Sequence, residues 1–222
     1  GTRAYLEGRT MYWDKDKDQL DLAFYRRGTH GKIPVDGTSL AHPHINKAAQ
    51  AIRNILRKRE ELRAFMLKTL LVRSDAAGNI VAQLYVKEQA FVLFSDDEIN
   101  ELAKIQSILG FEVIFSNPKS PASVITERLQ EWGNVSLTDT ILDVPFTYAT
   151  EGFFQINVPV YEQALLDMKQ WVDNTKPTVD LYSGVGTIGL TIGGDNVTLV
   201  EINEHAVREM KRNITALERE NA

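Results

Sequence analysis

The hydrophobic positions change period several times along the chain, and each change marks an element. Residues 3–14 and 19–26 are rich in aromatic and β-branched types and flank the charged run Asp14-Lys-Asp-Lys-Asp18, which predicts a β-hairpin. Glycine, proline, aspartate and serine punctuate residues 28–43, a predicted loop. Ile45, Ala49, Ile52, Ile55 and Leu56 then fall at helical spacing. They predict a helix from residue 45 to about 64, with Arg53, Arg57 and Arg63 on its other faces. Residues 66–73 and 80–86 alternate as strands around a loop at 75–79, and 90–94 and 111–115 read as further strands. Ser95 followed by acids is an N-cap signature for a helix to about residue 109. Residues 135–137 are expected to pair with 147–148, and Asn157, with Pro159 near the first turn, caps a helix to about 173. Residues 1–150 thus predict an α+β domain with a largely antiparallel sheet.

After residue 177 the pattern becomes that of a nucleotide-binding unit. Residues 178–181 read as a short buried strand, and glycines at 184, 186 and 189 turn the chain into a helix. A side chain there would block a ligand or a neighbouring helix. A second apolar strand over 197–200 ends on Glu201, twenty-one residues after Asp180. That spacing suits one βαβ unit whose second strand delivers a carboxylate to two ribose hydroxyls. A dinucleotide would bring its pyrophosphate to the helix start, where Asp180 at the strand's mouth would repel it. S-adenosylmethionine (SAM) carries a sulfonium and an ammonium instead, so Asp180 tilts the choice towards SAM. The competing role for Asp180 is a cap on the following turn.

Composition narrows the classes. The 222 residues suffice for a real core in one or two domains. With no cysteine, disulfides, thiolate metal sites and cysteine nucleophiles are excluded. No apolar run approaches the roughly 20 residues of a membrane span, and no signal-peptide pattern is present, so no membrane partner is expected and the cytoplasm is the default compartment. The net charge is −5, but residues 26–73 hold eleven Lys/Arg against three acids, which makes this segment +8 and the remainder −13. A basic surface on an acidic protein fits a phosphate-contacting face, with Arg26, Arg27, Arg53, Arg57 and Arg63 as candidate RNA contacts. A solvated helix face is the competing reading. His30 reads as a phosphate contact or a turn residue.

Several motifs carry a resemblance. Gly152-Phe-Phe-Gln-Ile-Asn157, Asp180-Leu-Tyr-Ser-Gly-Val-Gly186 and Val200-Glu-Ile-Asn203 look like successive motifs of the SAM-dependent RNA (uracil-5-)-methyltransferases. Arg212-Asn-Ile-Thr-Ala-Leu-Glu-Arg-Glu-Asn221 is similar to that family's helix after the second strand. Phe24-Tyr-Arg-Arg-Gly-Thr-His30 and Leu40-Ala-His-Pro-His-Ile-Asn46 resemble its central domain. The resemblance covers nearly the whole chain, and Phe-Phe-Gln-Ile-Asn is its most specific piece. It implies an α/β chain: an α+β central domain over 1–150, then the first part of a Rossmann-like methyltransferase domain over 151–222, acting on ribosomal or transfer RNA.

By this resemblance Gln155 hydrogen-bonds SAM, Tyr182 lines the pocket, Gly184 and Gly186 admit the methionine moiety, and Glu201 binds the ribose diol. Asp180 and Thr187 belong to the same site, Thr187 standing where the family often has asparagine. Ser183 replaces a non-nucleophilic cysteine. Some relatives hold an iron–sulfur cluster with a ligand near Thr38 or Ser39; hydroxyls bind iron poorly, so no cluster is expected. In the family a cysteine thiolate adds to C6 of uracil, C5 then takes the SAM methyl, and a base removes the C5 proton. This chain has no cysteine. No catalytic residue is therefore assigned, and the chain alone is expected to be inactive. Its nucleotide unit is also short for a doubly wound sheet, so a truncated chain is expected, with an exposed apolar face on the strands at 178–182 and 197–201. Two other classes compete: an RNA-binding module with a vestigial cofactor fold, and a nicotinamide-dependent oxidoreductase. His42 and His44 read as helix-entry residues, not metal ligands, and Trp13, Trp132 and Trp171 as core.

Overall fold

The computed structural model describes residues 6–29, 31–105 and 107–219, so His30 lies outside the described residues. The chain forms two compact units, one through Val135 and one from Ser136. The division precedes the expected one at residue 150, because the hairpin that follows Val135 packs with the second unit.

The first unit is built on a seven-stranded sheet in the order β3-β2-β1-β4-β5-β6-β7. The predicted hairpin is β1 (Leu6–Asp14) with β2 (Gln19–Tyr25), and β3 (Lys32–Pro34) adds a short edge strand within the predicted loop. Helix α1 (Pro43–Arg57) buries the expected apolar face, Ile45, Ala49, Ile52, Ile55 and Leu56, against Leu70, Val72 and Leu84. Those three come from β4 (Leu67–Ser74) and β5 (Ile80–Val86). Between β5 and β6 (Ile108–Phe115) lies α2 (Asp96–Ala103), and this crossover makes β5–β6 the parallel pair in an otherwise antiparallel sheet. Ser95 closes the capping box with Glu98. The edge strand β7 (Glu127–Gly133) completes the sheet.

Several boundaries differ from expectation, among them the helix expected to reach 173, which ends at Lys169, and the strand expected at 111–115, which begins at Ile108. Helix α1 stops at Arg57 rather than near 64, because Arg59 turns away to ion-pair with Glu98 at 2.7 Å and to donate to the carbonyls of Val92 and Leu93. Helix α2 ends at Ala103, as β6 claims residues from Ile108. Residues 90–94 form no strand: the Gln130 amide takes the place of a partner strand, accepting the Phe94 N–H at 2.9 Å and donating to its carbonyl at 2.8 Å. Phe94 is instead a core residue, edge-on to Phe111 and under the Arg59 guanidinium. His42 is the N-cap residue of α1 and its ring stacks on His44 at 4.8 Å, as a helix-entry role requires.

The second unit opens with the hairpin β8 (Ser136–Ile141) and β9 (Val144–Ala149), whose register pairs Leu137 with Tyr148 as expected. Then come α3 (Val158–Lys169), β10 (Thr178–Leu181), α4 (Thr187–Ile192), β11 (Val197–Val200) and α5 (Glu204–Ala216). β10 and β11 pair in parallel, Asp180 opposite Leu199. Val197 is buried on the α4 side, where Gly189 lets the helix lie close. Val179, Leu181 (63 % exposed) and Val200 stand open on the other face, followed by Ile202 at 90 %. That is the open apolar face expected. Trp13 and Trp171 are largely exposed, contrary to expectation, whereas Trp132 packs at the rim of the core.

Candidate functional site

The strand β10 ends in a turn that only a few residues can make. Tyr182, Gly184 and Gly186 all have positive φ, at 62°, 57° and 92°. Glycine adopts this region freely, whereas for tyrosine it costs about 1–2 kcal/mol. Ser183 holds the turn against that cost. Its N–H donates to the Val200 carbonyl at 3.0 Å, and its Oγ accepts the Val200 N–H at 2.8 Å while donating to the Asp180 carbonyl. One buried hydroxyl thus stitches the ends of both strands together. The Tyr182 side chain stands 88 % exposed at the turn's tip.

Glu201 closes the site from the tip of β11. One carboxylate oxygen accepts the Gly184 N–H at 3.0 Å, and the other accepts the N–H groups of Ile202 and Asn203 at 2.7 and 2.8 Å. The backbone donors of Asn203 and Gly184 hold this carboxyl below its ordinary pKa, so it is firmly ionised. Asn203 then caps α5 by accepting from His205 and Ala206. An added Cβ on Gly184 would meet nothing within 4 Å, so the turn faces open space there. Gln155 is half-buried and its amide has no hydrogen-bond partner among the described residues. Its neighbour Phe154 is locked by stacking on Tyr148, with centroids 4.1 Å apart.

Two expected site residues have other duties. Asp180 does not stand at an open mouth: it is buried, and one carboxylate oxygen accepts the Gly189 N–H at 2.9 Å. Burial raises its pKa. It therefore fastens α4 to β10, as the capping role anticipates, and its buried carboxylate does not distinguish SAM from a dinucleotide. Thr187 exchanges a hydrogen bond with Tyr161 of α3 at 2.8 Å. Gly189 has a packing role, since a Cβ there would lie 2.2 Å from Leu199 Cδ2.

Asn213 went unassigned in the sequence. It is buried on α5, donates to the carbonyls of Val185 and Thr147 at 3.2 and 3.1 Å, and accepts the Thr147 N–H at 2.9 Å. The signal lies in its spacing: Asn213 is three residues after Met210, the other buried residue of α5, and a polar amide on a buried face needs backbone partners.

The expected basic surface is narrower than its charge count. Arg53 is buried, and its guanidinium reaches Asp21 at 3.2 Å and also Asp36. Arg57 pairs with the same Asp21 at 2.9 Å and donates to the Leu20 carbonyl. Arg53 is thus no surface contact, because it is neutralised by Asp21 on β2 and by Asp36 after β3, both distant in sequence. Arg26, Arg27 and Arg63 are exposed. Among the described residues no group of three or more histidine, aspartate or glutamate side chains is placed to hold a metal ion.

No protein-family model matches the chain. It is 29 % identical over 214 residues to an uncharacterized RNA methyltransferase of Lactobacillus johnsonii, covering 88 % of this chain and 46 % of the relative. It is also 29 % identical over 220 residues to one of Enterococcus faecalis, covering 94 % and 48 %. The crystal structure of Pyrococcus abyssi tRNA (uracil-54, C5)-methyltransferase in complex with S-adenosyl-L-homocysteine superimposes with a TM-score of 0.78 at 17 % identity, over 97 % of this chain and 53 % of that one. The chain therefore has an α/β fold of that methyltransferase type. It spans about half the length of the curated relatives it matches.

Proposed function

We propose that this chain is the RNA-facing and SAM-holding portion of an RNA methyltransferase acting on C5 of uridine in ribosomal or transfer RNA, and part of a longer protein. The observation that carries the reading is the clamp of Glu201 on the glycine turn: an ionised carboxylate at the second strand tip, 3.0 Å from the Gly184 N–H. The names of the sequence relatives support an RNA methyltransferase, and the ligand named for the matching structure supports SAM. When bound, SAM supplies an electrophilic methyl group. This chain's part is binding: Glu201 accepts the ribose hydroxyls, Gln155 donates its free amide, Gly184 and Gly186 leave room for the methionine moiety, and Tyr182 covers it. Asp180 and Thr187 hold α4 and α3 in place around that site. No cysteine is present, so the nucleophile for C6 is assigned to sequence outside this chain.

Arg26, Arg27 and Arg63 are proposed as phosphate contacts; Arg53 and Arg57 are reassigned to the fold. No helix among the described residues is long and apolar enough to cross a membrane, and the cytoplasm is the proposed compartment. Calorimetric titration with SAM, with NAD as control, tests the reading. SAM binding without NAD binding is expected; the reverse preference would overturn the assignment in favour of an oxidoreductase.

A further inference from the structure

A second cleft lies wholly in the first unit, away from the glycine turn in sequence, with a volume of ≈ 450 Å³. Its walls come from β1, β2, β3, β4, Lys87, the segment at Ala64 and Phe65, and the loop at Pro121 and Ser123. Four aromatic rings line it: Tyr12, Trp13, Tyr25 (59 % exposed) and Phe65 (64 % exposed). Three lysines line it as well, Lys32, Lys68 and Lys87, and none of its described lining residues is acidic. Large exposed rings on a strand surface are unusual when nothing covers them. Here lysines stand among the rings with no acid to neutralise them, so the lining favours an anionic partner over a purely apolar one.

The chemistry of each group is resolved. Lys32 Nζ stands 5.8 Å from the centroid of the Tyr12 ring, so this ring already presents its face to a cation. The Tyr12 hydroxyl donates to Asp14, and burial followed by the Asp14 charge pushes its pKa up to about 12, which keeps the phenol neutral. The Tyr25 hydroxyl accepts from Thr10 at 3.4 Å. Lys68 is committed elsewhere: its ammonium donates to Ser116 Oγ and to the carbonyls of Asn117, Ser120 and Ala122. It contributes positive potential without being free to grip a ligand. Lys32 and Lys87 have no such commitment, and the exposed Arg26, Arg27 and Arg63 adjoin the cleft in sequence beside Tyr25 and Ala64.

We infer that this cleft holds a segment of single-stranded RNA, with unpaired bases stacked on Phe65 and Tyr25 and phosphates held by Lys32 and Lys87. The inference rests on the RNA methyltransferase reading and adds to it a site remote from Glu201 in sequence. A duplex buries its base faces, so rings of this kind are reachable only by bases already splayed out. Aromatic stacking plus a cationic groove is how chains grip single strands without reading their sequence.

The test uses the whole chain, a fluorescein-labelled oligouridine of about twelve nucleotides, and SAM titration in parallel. Phe65→Ala and Tyr25→Ala should each weaken oligonucleotide binding by about tenfold, and Phe65→Trp should retain it. Lys32→Ala should weaken binding and lower the salt slope by roughly 0.7. All four variants should bind SAM as the unaltered chain does. Oligonucleotide binding that ignores these changes would overturn the cleft assignment while leaving the methyltransferase reading intact. Equal capture of polyglutamate would also overturn it, in favour of an acidic peptide. Loss of both SAM and oligonucleotide binding from the unaltered chain would instead sink the underlying reading.

Discussion

The Glu201 carboxylate at the tip of β11 accepts the Gly184 N–H at 3.0 Å, joining it to the turn that follows the parallel partner strand β10. This bond fixes how far the Glu201 carboxylate, the proposed ribose acceptor, stands from the glycine turn. An ionised carboxylate offers about four lone-pair sites, and three backbone N–H groups occupy this one. One site remains for a hydroxyl donor, and a second becomes available if Gly184 turns its N–H to the ligand. The geometry is that of a preorganised acceptor, not of a side chain that must be ordered on binding.

The opposite side of the turn depends on Asn213. Asn213→Ala removes three hydrogen bonds and leaves the Thr147 N–H and the Val185 carbonyl without their partner. The expected loss is about 2 kcal/mol. Amide hydrogen exchange at Thr147 should quicken by roughly thirtyfold, the equivalent in local opening. Unchanged exchange there would show that the amide bridge carries no stability.

Asp180 makes a pH-dependent contribution whose sign follows from its raised pKa. Folding favours the protonated form, so the stabilisation is greatest below the ordinary aspartate value and declines as pH rises towards the folded value. Asp180→Asn keeps an oxygen for the Gly189 N–H and removes the buried charge. The variant should lose this slope and gain on the wild type at neutral pH. A slope identical in both proteins would contradict the assignment.

Arg53 is predicted to matter for folding and not for RNA. Arg53→Ala strips the buried Asp21 of one partner, leaving Arg57 and Lys17. The cost should approach 3 kcal/mol in urea unfolding. Arg26→Ala and Arg27→Ala should leave stability alone and reduce the salt slope of RNA binding by roughly 0.7 each. An Arg53→Ala protein of full stability that no longer binds RNA would reverse this division of roles.

Gly189→Ala tests the packing of α4 on β11. The new methyl would come within 2.2 Å of Leu199 Cδ2 and 3.1 Å of Val197 Cγ2, so Leu199 must rotate. A loss of about 1–3 kcal/mol is expected, measured by thermal unfolding.

Elements with a strong period were legible in the sequence: the β1–β2 hairpin, α1, and β10 and β11 around the glycine turn. What escaped was set by contacts distant along the chain. β7 carries the charged sequence Glu-Arg-Leu-Gln-Glu-Trp-Gly, and its strand character comes from backbone pairing with β6 rather than from its side chains. Residues 90–94 look like a strand because Phe91 and Phe94 are core residues, yet a side-chain amide, Gln130, supplies the Phe94 backbone partner. Arg53 reads as a surface cation because Asp21 and Asp36 that neutralise it lie 32 and 17 residues away. Asp180 and Glu201 are both acids at strand ends. Only the folded chain shows that one is buried under α4 and the other faces the open turn.

The most direct test of the cofactor site is calorimetric titration of SAM into wild type, Glu201→Ala and Gln155→Ala at high SAM concentration. Glu201→Ala removes an ionised acceptor for two hydroxyls and should cost on the order of 2–3 kcal/mol of binding free energy. Gln155→Ala removes a neutral donor and should cost roughly 1 kcal/mol. Unfolding curves of the variants, recorded alongside, separate loss of the ligand contact from loss of the Gly184 clamp. Weakened SAM binding in a stably folded Glu201→Ala protein is the predicted result. Equal SAM affinity in wild type and Glu201→Ala would contradict it.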